Sequence, residues 1–431
     1  NSFDVTLDSN SAPQKLCVRV TDEYNQIGEG CSNTYQVDST NPSINITSSE
    51  VTENSISITV SGIDAHSGIS RYRFSSDNGS SYTDVTTSDS SYTYIFENLD
   101  SGTSYNIVVQ IIDKAGNIGS ASQAIETDST KAKDIILGNT TIHEGSPNFE
   151  NTSTTNEGMY IGQDDWGISY YFRGAVDNNW VYFAGYYWRI IRINGDESVR
   201  LIYNGTNTST GTNTQINLVD YTFNDSYNRS EYVGYKYTSG QQHGNLTDSS
   251  IKITIDGWYN NNLKKYEQYL SKEAGFCGDR EMASGYDWED RPNETIYYAA
   301  DERVGQNSTS VIPTLKCTNY SDLYTTSESS KGNKILTYPI GLITADEMIM
   351  AGGSWNDKNE QYYLYTGRSY WTMTPQRANS SGWAGMFLVG SNGYLDRGWV
   401  NDPYGVRPVI NLKADVKLTG SGTSTDPYRV S

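Results

Sequence analysis

The sequence predicts a multi-domain protein in which all-β sandwich modules are followed by one α+β domain. Three observations carry this. The chain has 431 residues, which at roughly 150 residues per domain suggests two or three domains. All nine Trp lie at or after Trp166, so two compositions meet in one chain. Before that break apolar and polar residues alternate over short runs, whereas after it two stretches switch to helical spacing.

The first 40 residues read as the closing strands of one module. Cys17 and Cys31 lie symmetrically about Tyr24 in a segment that turns over residues 22–28, and cross-strand neighbours on such a hairpin can be bridged. Residues 41–130 then read as a complete module. Ile56-Ser-Ile-Thr-Val60, Tyr72-Arg-Phe74, Tyr92-Thr-Tyr94 and Tyr105-Asn-Ile-Val-Val-Gln-Ile111 alternate with period two, and turn clusters such as Asp77-Asn-Gly79 separate them. That is the pattern of an antiparallel sandwich. Leu16 to Asp22, with Ile27-Gly28, is repeated as Ile107 to Asp113 with Ile118-Gly119. Asp113-Lys-Ala-Gly-Asn117 suits a hairpin turn better than a calcium loop.

Leu99-Asp-Ser-Gly102-Thr-Ser-Tyr105-Asn-Ile107 resembles the fibronectin type III signature, whose Tyr makes a corner hydrogen bond before a core strand. Ser101 stands where that family usually has Pro, and its early-strand Trp is absent, so an Ig-like relative stays open. Modules of this kind act as spacers. Residues 131–160 form an Asn/Thr/Ser-rich lead-in to the final domain.

Residues 161–431 supply the α+β domain. Trp180-Val-Tyr-Phe183, Tyr187 to Ile193 and Val199 to Tyr203 are strands, with a turn at Asn194-Gly-Asp196. Ile251, Ile255, Trp258, Tyr259, Leu263, Tyr266 and Leu270 recur at helical spacing behind a Ser249 or Ser250 cap. Thr344-Ala-Asp-Glu347 is a capping box, with Ile343 and Met348 as its hydrophobic staple and Gly352-Gly353 as its stop. Strands return at Tyr370–Pro375, Met386–Val389, Gly393–Leu395 and Val406–Leu412. Helices set among such strands define the α+β class.

Composition bounds the function. With 51 acidic and 31 basic residues the net charge is −20, which excludes a nucleic-acid or anionic-membrane partner that needs clustered cations. No apolar run reaches the ~20 residues of a membrane span. No secretion signal opens the sequence, so the chain reads as the far end of a longer product. The 35 Tyr and 39 Gly are the palette of a binding surface. His66, His143 and His243 are too scattered for His-based metal catalysis. Closing a loop between Cys277 and Cys317 would stabilise by roughly 3–4 kcal/mol. Two such pairs suit an extracellular or cell-surface location, and neither has zinc spacing.

Gly341-Leu-Ile-Thr-Ala-Asp-Glu347, Tyr370-Trp-Thr-Met-Thr-Pro375 and Gly405-Val-Arg-Pro-Val-Ile-Asn-Leu412 resemble the C-type-lectin-like domains of bacterial surface proteins. The narrower likeness is to the branch shared with formylglycine-generating enzymes and with retroelement-diversified variable proteins, over residues 133–431. The resemblance implies that the Gly405–Leu412 segment is a core strand and that the stretch before it carries the ligand contacts. That stretch offers Gln376, Arg377, Asn379, Trp383, Tyr394, Asp396, Arg397, Trp399, Asp402 and Tyr404, a mixture of amphipathic anchors and adaptable polar groups that suits a binding face. Trp383 and Trp399, among Gly, Ser, Asp and Arg, read as exposed. Trp371, Phe387, Leu388, Trp180, Trp188 and Trp258 read as core, and Arg407 as a buried structural residue.

No enzyme activity is expected. The formylglycine branch uses a cysteine pair near the C-terminal strand, and the last cysteine here is Cys317. Asp164-Asp165 and Asp287-Trp-Glu289-Asp290 are the acidic clusters beside aromatics, and such loops are ordinarily solvated turns. There is no Gly-x-Ser-x-Gly nucleophile motif. No cofactor is implied beyond the calcium that lectin-type folds often carry; Trp355-Asn-Asp357 occurs without its companion Glu-Pro-Asn. The expectation is a surface or secreted adhesin whose lectin-like domain binds a protein or glycan on another cell or phage, with a diversified binding face. The alternatives are a structural subunit of a fibre or envelope and, less favoured, a glycan-active hydrolase.

Overall fold

The computed structural model describes residues 4–10, 12–209, 211–216, 219–290 and 294–430. The chain divides between Thr130 and Lys131 into two compact units.

In the first unit, strands Gln14–Thr21 and Ile27–Tyr35 form a hairpin with Cys17 directly opposite Cys31, and the two are disulfide-bonded. A sandwich follows. One sheet holds Ser43–Val51, Ile56–Ile63 and Ser91–Phe96; the other holds Thr83–Val85, Ile69–Ser75, Ser104–Asp113 and Ile118–Glu126. Alternation decides which side chains face inward. Ile56, Ile58 and Val60 from one sheet, and Tyr72, Phe74, Ile107, Val109 and Ile111 from the other, are buried in one cluster. Through the repeat, Asp22 and Asp113 do the same job. Asp22 Oδ1 accepts the N–H of Tyr24 and Gln26, and Asp113 Oδ1 that of Gly116 and Asn117. Asp113 is therefore a hairpin-turn residue. Tyr105 makes the expected corner, its hydroxyl oxygen accepting the Asp100 N–H at 2.8 Å.

The second unit is also mostly β, with four short α-helices among the described residues. The lead-in is docked onto it: Ala132–Gly138 is a helix that buries Ala132 and Ile136. A mixed sheet is centred on Tyr186–Ile193, which pairs with Ile168–Gly174, Trp180–Phe183 and Val199–Gly205. The last of these pairs with Val409–Leu412, buried along its whole length. Arg407, beside that strand, is fully buried and donates to Tyr203 O, Leu364 O and Asn204 Oδ1. Trp180 and Trp188 are core, and Trp258 packs against it.

The helix Ser250–Asn262 starts where the Ser249 side chain accepts the Lys252 N–H. It stops earlier than its periodicity implies, at three successive Asn of poor helix propensity. Residues Lys264–Tyr269 tighten into a 3-10 turn that still delivers Leu270 to the core. Ala345–Met350 carries the capping box in full and ends before Gly352, whose φ of +110° needs glycine. Its Glu347 is 2% exposed and lies between two buried guanidiniums, Arg192 at 3.0 Å and Arg200 at 2.6 Å. A disulfide joins Cys277 to Cys317.

A separate antiparallel sheet runs in the order Ile296–Tyr297, Tyr370–Ala378, Ala384–Val389, Leu395–Trp399. The expected strand at Gly393–Leu395 begins at Leu395 instead, because Gly390–Tyr394 closes a turn through Gly390 N–H to Tyr394 O.

Candidate ligand-binding site

This four-stranded sheet positions most of the candidate ligand-binding residues. Arg377, Gly385 and Trp399 lie in one row across three strands. Gly385 has no side chain, and a Cβ there would stand 3.2 Å from the Trp399 ring. Arg377 reaches across the gap and sets its guanidinium 5.0 Å from the Trp399 centroid, a cation–π contact. Arg397, two residues before Trp399, projects from the same face. It lies 5.9 Å from the Trp355 ring centroid and donates through Nη1 to Gln306 Oε1. Neither guanidinium has a carboxylate partner among the described residues.

Gln376, fully buried, donates through Nε2 to Asp301 Oδ1 at 2.6 Å. Burial pushes the Asp301 carboxyl up, against the lowering effect of that amide. Gln376 Oε1 and Arg377 Nε are both buried without a hydrogen-bond partner. Asp402 Oδ2 accepts the Trp399 N–H at 3.1 Å. Gln376, Arg377, Arg397, Trp399 and Asp402, with Gly385 and Gly398, line a cavity of about 120 Å³. Trp383, 37% exposed, stands edge-on to Trp399 at 6.0 Å and to Tyr227 at 5.1 Å.

The other four candidates lie elsewhere. Asn379 shapes the turn that presents Trp383, its Oδ1 accepting the N–H of Ser381 and Trp383. Asp396 and Gly398 alternate to the opposite face of their strand, and a Cβ on Gly398 would meet the Tyr404 ring at 2.5 Å. Tyr404 packs edge-on against the buried Trp371 at 4.9 Å. Tyr394 donates to Asp396 Oδ2, and burial together with that carboxylate pushes its hydroxyl up to about 12. Trp371, Phe387 and Leu388 are fully buried, as expected.

The free edge of Leu395–Trp399 is closed to a further strand. Leu395 N–H goes to Ser354 O, Arg397 N–H to Asp396 Oδ1 and Trp399 N–H to Asp402 Oδ2. With its donors consumed, the edge cannot recruit an extended chain by backbone pairing.

Sequence reasoning missed Asp301, on the short helix Ala299–Val304, together with Gln306 and Tyr227 from loops; all are distant in sequence and carry no local motif. It also missed a neighbouring cavity of about 280 Å³ beyond Trp383, lined by Asn228–Glu231, Gly240 and Ser380–Gly382. There the buried Glu231 accepts the Gly240 N–H through Oε1 and leaves Oε2 without a partner.

The acidic clusters have other duties. Asp164 is buried, ion-paired to Arg192, and accepts the N–H groups of Trp166, Gly167 and Gly195. Asp165 and Trp166 share a polar cavity with Asp279, Arg303, Lys316 and Asp346, but its volume is about 30 Å³, room for about two or three waters. Burial raises the Asp165 carboxyl. Asp287 and Glu289 are exposed around the buried Trp288. In the first unit Asp38, Asp64 and Asp113 bring carboxylate oxygens within 4.8 Å of one another, the geometry of a group able to hold a cation. Most of those oxygens already accept backbone N–H groups, and Asp64 Oδ1 is the one without a partner.

Comparison with known proteins finds distant structural likenesses and one located family match. Structural likeness extends to the PKD1 domain of Vibrio anguillarum Epp at 13% identity, covering 21% of this chain and 98% of that one, with a TM-score of 0.17. Domains d3–d4 of the rat CD45 extracellular region match at 17% identity, 30% and 70% coverage, and a TM-score of 0.21. A fibronectin type III domain of human fibronectin type III domain containing protein 3 matches at 16% identity, 23% and 94% coverage, and a TM-score of 0.17. No curated protein matches the sequence. Residues 40–128 match the fibronectin type III family, and this part of the chain is a fibronectin type III domain.

Proposed function

We propose that the second unit is a C-type-lectin-like recognition domain of an extracellular adhesin, displayed with fibronectin III-like modules, and that it takes its ligand at the Arg377–Arg397–Trp399–Asp402 cavity. The observation that carries this reading is the convergence itself. Two guanidiniums without carboxylate partners among the described residues, an indole and a carboxylate line one concavity, and an exposed Trp stands beside it. A ligand that brings an oxyanion to these unpaired guanidiniums gains charge-assisted hydrogen bonds. Rigid aromatic anchors beside such groups are the composition of recognition hot spots.

The location in this reading is supported by two disulfides and a fibronectin type III domain, both suited to an oxidising compartment. No helix among the described residues is long and apolar enough to cross a membrane. The hydrolase alternative draws no support from Asp165, whose cavity has no room for a sugar ring.

The test uses the full chain on arrays of immobilised glycans and extracellular proteins. A ligand is expected whose binding is lost when Trp383→Ala and Trp399→Ala are combined, with the melting curve unchanged. Binding that survives this double substitution places the ligand elsewhere and refutes the site.

A further inference from the structure

We infer that the ligand group this cavity selects is the carboxylate of an acidic sugar, an inference that rests on the recognition-site reading above. The chain is strongly acidic overall, yet the cavity is lined by two arginines against one carboxylate, Asp402. An acidic protein that keeps two guanidiniums on one cavity, neither of them ion-paired among the described residues, sets up a local attraction for an oxyanion against its own net repulsion. The guanidinium fork matches a planar carboxylate with two parallel N–H donors. Arg397 spends Nη1 on Gln306, and its remaining N–H groups are available to a ligand. Arg377 is held against the Trp399 face, which fixes its guanidinium at the cavity.

The rest of the lining suits hydroxyl groups, because Asp402 keeps acceptor capacity beyond the Trp399 N–H it receives. A sugar acid brings a carboxylate and several hydroxyl donors on one rigid ring. An acidic peptide brings a carboxylate too, but it cannot add a full strand here, because the N–H groups along the free edge of Leu395–Trp399 are already consumed and leave its carbonyls without donors. The geometry therefore points to the glycan. At about 120 Å³ the cavity takes the carboxylate and the adjoining hydroxyls, with the remaining ring outside it.

Isothermal titration of the full chain tests this with sodium glucuronate, galacturonate and N-acetylneuraminate. Glucose and galactose serve as neutral counterparts, acetylated tetraglutamate as the peptide and inorganic phosphate as the bare oxyanion. At least one acidic sugar is expected to bind more tightly than the neutral sugars, tetraglutamate and phosphate. Arg377→Gln and Arg397→Gln should each weaken it by roughly 10–100-fold, the worth of a charge-assisted hydrogen bond. Two separate variants keep the test informative if the half-buried Arg377 site folds poorly once substituted. Equal binding of a neutral sugar, preference for tetraglutamate or phosphate, or no acidic-sugar binding at about 10 mM overturns the inference. A neutral sugar whose binding is lost in Trp399→Ala but kept in both Arg variants overturns it too, while leaving the recognition site standing.

Discussion

Glu347 offers the sharpest test of how the second unit is held together. Its carboxylate is buried, paired with Arg192 at 3.0 Å and Arg200 at 2.6 Å, and also accepts the Thr344 N–H of its own capping box. Glu347→Gln keeps the shape and the amide oxygen but deletes the charge. Arg192 retains Asp164 at 2.5 Å, whereas Arg200 is left with the Gly275 and Leu342 carbonyls and no carboxylate. Breaking a buried pair by removing one partner costs about 3–5 kcal/mol. At about 2 °C per kcal/mol for a large domain, the melting midpoint should fall by roughly 6–10 °C. Trp fluorescence reads this cleanly, because every Trp lies in residues 131–431. The loss should also depend on pH. Burial pushes the Glu347 carboxyl up, but Arg200 and Arg192 outweigh it and hold it below its ordinary value of 4.5. A depressed carboxylate contributes stability that is present above the unfolded-state value and lost as pH falls through the lowered folded one. The gap between wild type and Glu347→Gln should therefore be full at neutral pH and shrink in acid below about 4.5. A gap under about 1 kcal/mol at pH 7, or one that does not shrink in acid, refutes the account of a charge-compensated cluster.

Tyr105→Phe removes the acceptor of the Asp100 N–H and should destabilise the fibronectin type III domain by about 0.5–1 kcal/mol, read as a fall of a few degrees in its calorimetric transition. Opening the Cys277–Cys317 loop, a separation of 40 residues, by replacing both with Ser should cost about 4 kcal/mol on the chain-entropy account and lower the Trp-reported midpoint. If the recognition face is diversified, sequencing the gene from related isolates should find changes concentrated at Arg377, Trp383, Arg397, Trp399 and Asp402. The buried Val406–Leu412 segment should stay constant, and evenly scattered changes would count against diversification.

Local chemistry made much of the fold legible. Period-two runs such as Ile56-Ser-Ile-Thr-Val60 needed only alternation to become sandwich strands, and the Thr344–Glu347 box formed as spelled because a capping box is complete within four residues. Both cysteine pairs closed as their positions suggested. What stayed hidden depends on tertiary context. Nothing local announces that Asp164, read as a solvated turn, is the buried partner of Arg192, or that Glu347 serves two arginines as well as its own helix. The overlong helix has a similar cause. Hydrophobic spacing continued to Leu270 because the core demands those side chains, while Asn260-Asn261-Asn262 withdrew the backbone support and a 3-10 turn took over.

How the candidate residues would divide between faces was not legible, for a reason built into the strand. The family resemblance pointed to the stretch from Gln376 to Tyr404, and its composition suits a binding face, but composition does not see faces. In Leu395–Trp399 the side chains of Arg397 and Trp399 fall on one side and that of Asp396 on the other, so a cluster that reads as one surface in sequence becomes two in space. The deciding residue is one that sequence reasoning passed over. Gly385 sits between Arg377 and Trp399 and leaves the gap across which they meet; any side chain there would push against the Trp399 ring. Beyond the strand's end, the bridge to Tyr221 sets Tyr404 against Trp371, behind the sheet. On the proposed reading, the face of Arg397 and Trp399 is the one left for a ligand, and the opposite face is given to packing. Substitutions at 397 and 399 should therefore change what is recognised, whereas those at 396 and 404 should first change how firmly the face is held.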